Sequence, residues 1–163
     1  AHIRNVIEEN YNVTYPSSSV VYNAIHTDEV KRKASEFEVD YKAIKKPIFC
    51  SVGRLHSRKG YHTLINVHSQ LIKEGFDHSI VVLGDGEEKE NLIQQINQLG
   101  VNKTFKLLGT KINPYPYIKN ARALILSSER EGLPTVLIES LILGHQFIQA
   151  NIAKKVRLFV MQK

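Results

Sequence analysis

The 163-residue sequence contains one cysteine, Cys50, so no disulfide can close within the chain. Cys50 stands inside an apolar run and reads as a buried side chain, in keeping with a reducing compartment. No apolar run approaches bilayer-spanning length and no secretory leader opens the sequence, so a cytoplasmic chain is expected. Five prolines and nine glycines are scattered, which excludes a long linker or a low-complexity segment. The Gly-x-x-x-x-Gly-Lys-Ser/Thr order of a Walker loop is absent. Gly84-Asp85-Gly86 does not complete a dinucleotide fingerprint, because Lys89 stands where a third glycine is required. The seven histidines show no His-Glu-x-x-His or other ligand spacing, so no metal is expected.

What remains is ordinary globular material with a basic balance. Hydrophobic content is 42% and charged content 23%, and the length suits one domain with a real core. The net charge of +6 points to an anionic partner: a nucleotide, a phosphorylated lipid, a membrane surface or a nucleic acid. The last is disfavoured, since no helix-turn-helix or aromatic-basic motif accompanies the charge.

The chain opens with helical spacing from Ile3 to Tyr11, broken at Pro16-Ser17-Ser18-Ser19 before a short strand at Val20-Val21-Tyr22. Thr27-Asp28-Glu29 reads as a helix cap ahead of a helix from Val30 to Phe37. After Lys45-Lys46-Pro47 a regular alternation begins. Strands are expected at Ile48–Val52, Ile80–Leu83, Phe105–Leu108 and Ala123–Leu126. Helices are expected from about Lys59 to Ile72, Glu87 to Leu99, Pro114 to Asn120, and from Pro134 to a stop at Gly144. Such alternation means βαβ units: an α/β, Rossmann-like parallel sheet with helices on both faces. Ligands of such sheets sit at the carboxyl ends of the strands. Those ends are Gly53-Arg54, Gly84-Asp85-Gly86, Gly109-Thr110-Lys111 and Ser127 to Gly132.

Two motifs fall on that edge. In Ser127 to Gly144, Pro134 stands where a first helical residue belongs, and the free N–H groups of Thr135 and Val136 favour a phosphate there. Glu131 lies in the turn and Glu139 on the helix, where sugar hydroxyls are ready partners for a carboxylate beside a bound phosphate. In Gly53-Arg54-Leu55-His56-Ser57-Arg58-Lys59-Gly60, the first glycine permits close backbone approach to a ligand. Arg54 offers a planar fork for phosphate oxygens and Lys59 a point charge near a helix start.

Gly-Arg-Leu-x-x-x-Lys-Gly at Gly53 to Gly60, followed about 70 residues later by Glu131-Gly132-Leu133-Pro134 and Glu139-Ser140-Leu141, resembles the retaining nucleotide-sugar glycosyltransferases of family 4, with GT-B architecture. Seven residues separate the two glutamates, and the resemblance covers roughly residues 20 to 150. It is most similar to bacterial enzymes that build cell-surface polysaccharide or lipid-linked oligosaccharide.

The resemblance implies a division into residues 1–46, the end of an interdomain region, residues 47–150, a nucleotide-sugar-binding domain, and residues 151–163, an atypical basic tail. It implies a UDP-sugar donor held by Gly53, Arg54, Lys59, Lys111, Glu131, Gly132, Leu133, Pro134, Thr135, Val136 and Glu139. Arg54 and Lys59 would stabilise the diphosphate leaving group, Glu131 would contact the donor sugar near its reacting face, and Glu139 would accept from the ribose hydroxyls. Backbone near Lys111 would read the base. Cationic side chains do the work of a metal in this family, and no Asp-x-Asp occurs among the four aspartates. The acceptor, a saccharide or lipid-linked sugar, belongs to a preceding domain for which residues before Pro47 are too few. Peripheral contact with the inner membrane face and self-association are further expectations. The chain departs from the family at His145-Gln146-Phe147-Ile148-Gln149-Ala150, where Gly-x-Pro-Val-Ile is usual, and no acid follows Glu139. A non-catalytic module that binds a nucleotide or nucleotide sugar for a partner is the alternative.

Overall fold

In the computed structural model, residues 9–10, 25–41, 44, 47–128 and 134–149 are described. Five strands form one sheet: β1 (Ile48–Val52), β2 (Ser79–Leu83), β3 (Phe105–Leu107), β4 (Ala123–Leu126) and β5 (Gln146–Gln149). Their order is β3-β2-β1-β4-β5, and every pairing is parallel. The helices are α1 (Thr27–Lys33), α2 (Tyr61–Lys73), α3 (Lys89–Gln98), α4 (Tyr115–Lys119) and α5 (Thr135–Ile142), with a 3-10 turn at Ser57–Lys59. The strand order reverses between β1 and β4, and at such a switch point adjacent loops diverge and leave a crevice.

Period-2 alternation within fully buried strands builds two cores. Ile80 and Val82 of β2 face α2 and α3, where Leu64, Ile65, Leu92 and Ile96 join Phe105 and Ile125. Val81 and Leu83 face the other way, into a cluster with Cys50, Leu124, Leu126 and Ile118 of α4. Both sides of β2 are therefore apolar, which is why its sequence runs Ile-Val-Val-Leu without a polar break. Each such side chain contributes about 1.5–3 kcal/mol on burial. Cys50 is a free, fully buried thiol, as its apolar run implied, and burial pushes its pKa up to about 12. Val30, Ala34 and Tyr41 are buried as well, and α1 rests against α4 and α5.

The alternation from Pro47 onward matches expectation, with differences at the ends. The helix expected from Val30 to Phe37 begins at Thr27 with His26 as its cap residue, without a side-chain capping bond, and stops at Lys33. Pro134 is the cap of α5 and not its first helical residue: its ψ of 123° is extended, and its carbonyl accepts from Leu137 N–H. Gly144, at φ 76°, ends α5 as expected, with Gly144 N–H donating to Leu141 O and His145 N–H to Ser140 O. Residues 146–149, read as a departure from the family, form β5 and pair with β4 from Ala123↔Gln146 to Leu126↔Gln149. Of the expected first helix only Glu9 and Asn10 are described, and they are helical; the expected strand at Val20–Tyr22 lies outside the described residues.

Candidate functional site

The loops after β1 and β2 are laced together. Gly53 N–H donates to Leu83 O at 2.9 Å, Leu55 N–H to Asp85 O at 3.0 Å, and Glu88 N–H to Leu55 O at 3.0 Å. Two glycines make this approach possible. A Cβ on Gly84 would stand 2.0 Å from Gly53 O, at a φ of 146°, and one on Gly86 would stand 2.4 Å from Leu55 O. These are glycines of close packing between loops, which explains why they carry no dinucleotide fingerprint.

Lacing the loops brings the basic residues to one edge. Gly53, Arg54 and Lys111 line a cleft of about 300 Å³ with Val52, Gly84, Asp85, Thr110 and Pro114. Arg54 is largely exposed, and its guanidinium lies 3.2 Å from Glu87 Oε2. Glu87 is held below the usual carboxylate range by a bond to its own backbone N–H and by the charge of Arg54. Lys89 pairs with Asp85 at 2.8 Å, so that carboxylate is neutralised beside the cleft. Lys111 Nζ stands 5.7 Å from the centre of the Tyr117 ring. Lys59 lies alongside: its Cε is 3.6 Å from where a Gly53 Cβ would be. Ser127 Oγ, at the end of β4, donates to Lys59 O at 2.7 Å and fixes the 3-10 turn at the switch point between β1 and β4.

A second cleft, of about 240 Å³, opens beside the start of α5. It is lined by His26, Glu29, Tyr115, Thr135 and Glu139. The Tyr115 hydroxyl donates to Glu139 Oε1 at 3.0 Å. Burial, reinforced by the Glu139 charge, pushes the Tyr115 hydroxyl up to about 12, so it remains a donor. The N–H groups of Thr135 and Val136 have no partner among the described residues, as expected of a helix start. Val136 itself packs on the second core. Pro114 lines the first cleft and its neighbour Tyr115 the second, so the β3–α4 loop stands between them.

The structure thus gathers Gly53, Arg54, Lys59 and Lys111 at one place, and Thr135 and Glu139 at the next. Glu131, Gly132 and Leu133 lie outside the described residues. Tyr115, Thr110, Asp85, Glu87 and Ser127 were not singled out from sequence. Asp85, Thr110 and Ser127 fall in the strand-end turns already named, whereas Tyr115 and Glu87 had no signal beyond an ordinary helix start. No group of three or more His, Cys, Asp or Glu able to hold a metal ion occurs among the described residues. A cavity of about 400 Å³ lies between α2 and the sheet; it is walled mainly by Phe49, Leu64, Leu71, Phe76, Ile125 and Ile148, and His68, Asp77, His78 and Ser127 also line it.

A family model described as Glycosyl transferases group 1 matches residues 33–158. The chain belongs to that family. It is 31% identical over 151 residues to an uncharacterized glycosyltransferase of Methanocaldococcus jannaschii, covering 91% of this chain and 37% of the relative. It is 34% identical over 133 residues to the Campylobacter jejuni N-acetylgalactosamine-N,N'-diacetylbacillosaminyl-diphospho-undecaprenol 4-alpha-N-acetylgalactosaminyltransferase, covering 82% of this chain and 34% of that one. The group 1 chain therefore spans about a third of the length of these relatives. The fold is shared with Anabaena HepE solved in complex with UDP, at a TM-score of 0.68 and 21% identity, covering 85% of this chain and 39% of HepE. It is also shared with the C-terminal domain of a group 1 glycosyl transferase, LpcC, from Francisella tularensis, at a TM-score of 0.63 and 18% identity, covering 77% and 70%. The group 1 sheet thus has the fold of a GT-B C-terminal domain. No helix among the described residues is long and apolar enough to cross a membrane.

Proposed function

We propose that this group 1 domain binds the nucleotide-sugar donor, a UDP-sugar, of a retaining family 4 glycosyltransferase acting in cell-surface polysaccharide synthesis. The observation that carries the reading is the convergence of Gly53, Arg54, Lys59 and Lys111 on the carboxyl edge of the sheet, at and beside its switch point. Support also comes from the relatives: HepE was solved with UDP, and the Campylobacter enzyme is named for transfer to a diphospho-undecaprenol-linked sugar.

On this reading the diphosphate lies between Arg54 and Lys59, with its distal phosphate toward the free N–H groups of Thr135 and Val136. Transfer breaks the bond between the anomeric carbon and the distal phosphate oxygen. Negative charge grows on that oxygen, and fixed cations aimed at it stabilise the transition state more than the ground state. Glu131 sits near the reacting face of the donor sugar, Glu139 accepts from the ribose hydroxyls, and backbone near Lys111 contacts the base. No metal takes part. The acceptor saccharide or lipid-linked sugar approaches from the other half of the enzyme, where closure excludes water.

The test is a calorimetric panel of nucleoside diphosphates and UDP-sugars against the purified chain in chelator. Saturable binding of UDP and at least one UDP-sugar is expected. Absence of binding to every nucleotide would refute the reading, and a preference for another base would refute the uridine assignment.

A further inference from the structure

Glu139 lies within α5, where a glutamate at a half-buried position ordinarily samples several rotamers. Here its carboxylate is held by the Tyr115 hydroxyl through Oε1. Tyr115 is fixed in turn from behind. Its N–H donates to Asn113 Oδ1 at 3.2 Å, and the Asn113 amide donates to Lys33 O at 2.9 Å and Glu36 Oε2 at 2.8 Å. At the other end of α4, Lys119 Nζ donates to Ser35 Oγ at 2.9 Å. Both ends of α4 are thus tied to the C-terminal end of α1. The phenol has only two side-chain torsions and extends from a clamped helix start, so it delivers its hydroxyl to a fixed point. With Oε1 occupied, Oε2 has no partner among the described residues, and both side chains line the cleft that includes Thr135.

We propose that Tyr115 is a positioning residue for nucleotide binding: its hydroxyl fixes the Glu139 carboxylate so that one oxygen stays available to the ribose hydroxyls. The proposal rests on the reading of Glu139 as the ribose acceptor. A carboxylate ordered before the ligand arrives loses less rotamer freedom on binding, and its acceptor oxygen is already aligned. The residues that order it come from α1, α4 and α5, far apart in sequence, which makes the α1–α4 clamp part of the binding site without touching the ligand.

The experiment compares UDP with 2′,3′-dideoxy-UDP by calorimetry in wild type, Tyr115→Phe and Glu139→Gln, with thermal unfolding recorded for each. Tyr115→Phe removes one oxygen and keeps the ring. It is expected to weaken UDP about three- to tenfold while leaving dideoxy-UDP unchanged, so the ribose preference shrinks at an unaltered melting temperature. Glu139→Gln is expected to remove most of the preference. If Tyr115→Phe weakens both ligands equally, or neither, while Glu139→Gln abolishes the preference, the positioning role is overturned and the ribose reading stands. If Glu139→Gln leaves the preference intact, both are overturned, because Tyr115 then has no ribose contact to position.

Discussion

His68 of α2 is fully buried, and its hydrogen bonds define its protonation. His78 Nδ1 faces the carbonyl of Phe76 at 2.7 Å, so that nitrogen carries a proton and donates. His78 Nε2 is then an acceptor and takes the bond from His68 Nδ1 at 2.9 Å. His68 Nε2 in turn accepts from Thr104 Oγ1 at 2.9 Å, so the hydroxyl proton is directed here rather than at the more distant Val101 O, 3.3 Å away. Every member of the relay is satisfied with both imidazoles neutral. Burial, with a smaller effect from His78, lowers the His68 pKa from 6.5 to about 4. A depressed histidine stabilises the fold fully above its unfolded value, because folded and unfolded chains are then both neutral. Between pH 6.5 and 4 the unfolded chain takes up a proton that the folded chain refuses, so stability falls as pH falls and levels out below about 4. A shift of that size corresponds to about 3 kcal/mol, an upper bound because the adjoining cavity, which Asp77 and His78 also line, can admit solvent on protonation. Urea unfolding of wild type and His68→Leu at pH 4 to 7.5 measures it. The wild type should lose about 2–3 kcal/mol more than the variant across that window. Nitrogen chemical shifts of the folded protein read the same titration without any variant. A His68 that titrates near 6.5 in the folded state, or carries its proton on Nε2, would refute the relay.

Two further predictions concern the carboxyl edge. Glu87 holds Arg54 and, on the proposed reading, competes with the diphosphate for it, so Glu87→Gln should tighten UDP roughly two- to fivefold at low salt, an effect that calorimetry in 0.5 M salt should erase. Gly84→Ala places a methyl against Gly53 O at a φ that disfavours side chains, and should cost about 1–3 kcal/mol or more in chemical denaturation; a loss under about 0.5 kcal/mol would mean that the two loops are not laced as described.

Much of the sheet could be read from the chain because its strands are buried on both faces. Ile48–Val52 and Ala123–Leu126 are apolar runs bounded by polar or turn residues, and their bounds in the structure are those expected. β5 was not legible for the opposite reason. Gln146 and Gln149 flank only two apolar residues, and pairing with β4 rather than local composition makes it a strand. Pro134 illustrates a similar limit: proline suits both the cap and the first helical position, and only its ψ separates them. That Gly53, Arg54 and Lys111 share one edge was legible, because the turns after parallel strands must fall on it. Tyr115 was not. Its partner lies 24 residues away on another helix, and nothing in either local pattern signals the bond. Glu87 and Arg54 meet for the same reason, across two loops that glycine packing draws together.

On the proposed reading, cationic side chains at the sheet edge hold a nucleoside diphosphate without a metal. The most direct measurement of this is the UDP dissociation constant in EDTA for wild type and Lys59→Ala, with unfolding curves confirming that both are folded. A charge-assisted contact contributes about 1.5–3 kcal/mol, so the account predicts metal-independent binding that weakens roughly tenfold or more in the variant. Binding that appears only on addition of magnesium, or an affinity unchanged in Lys59→Ala, would contradict it.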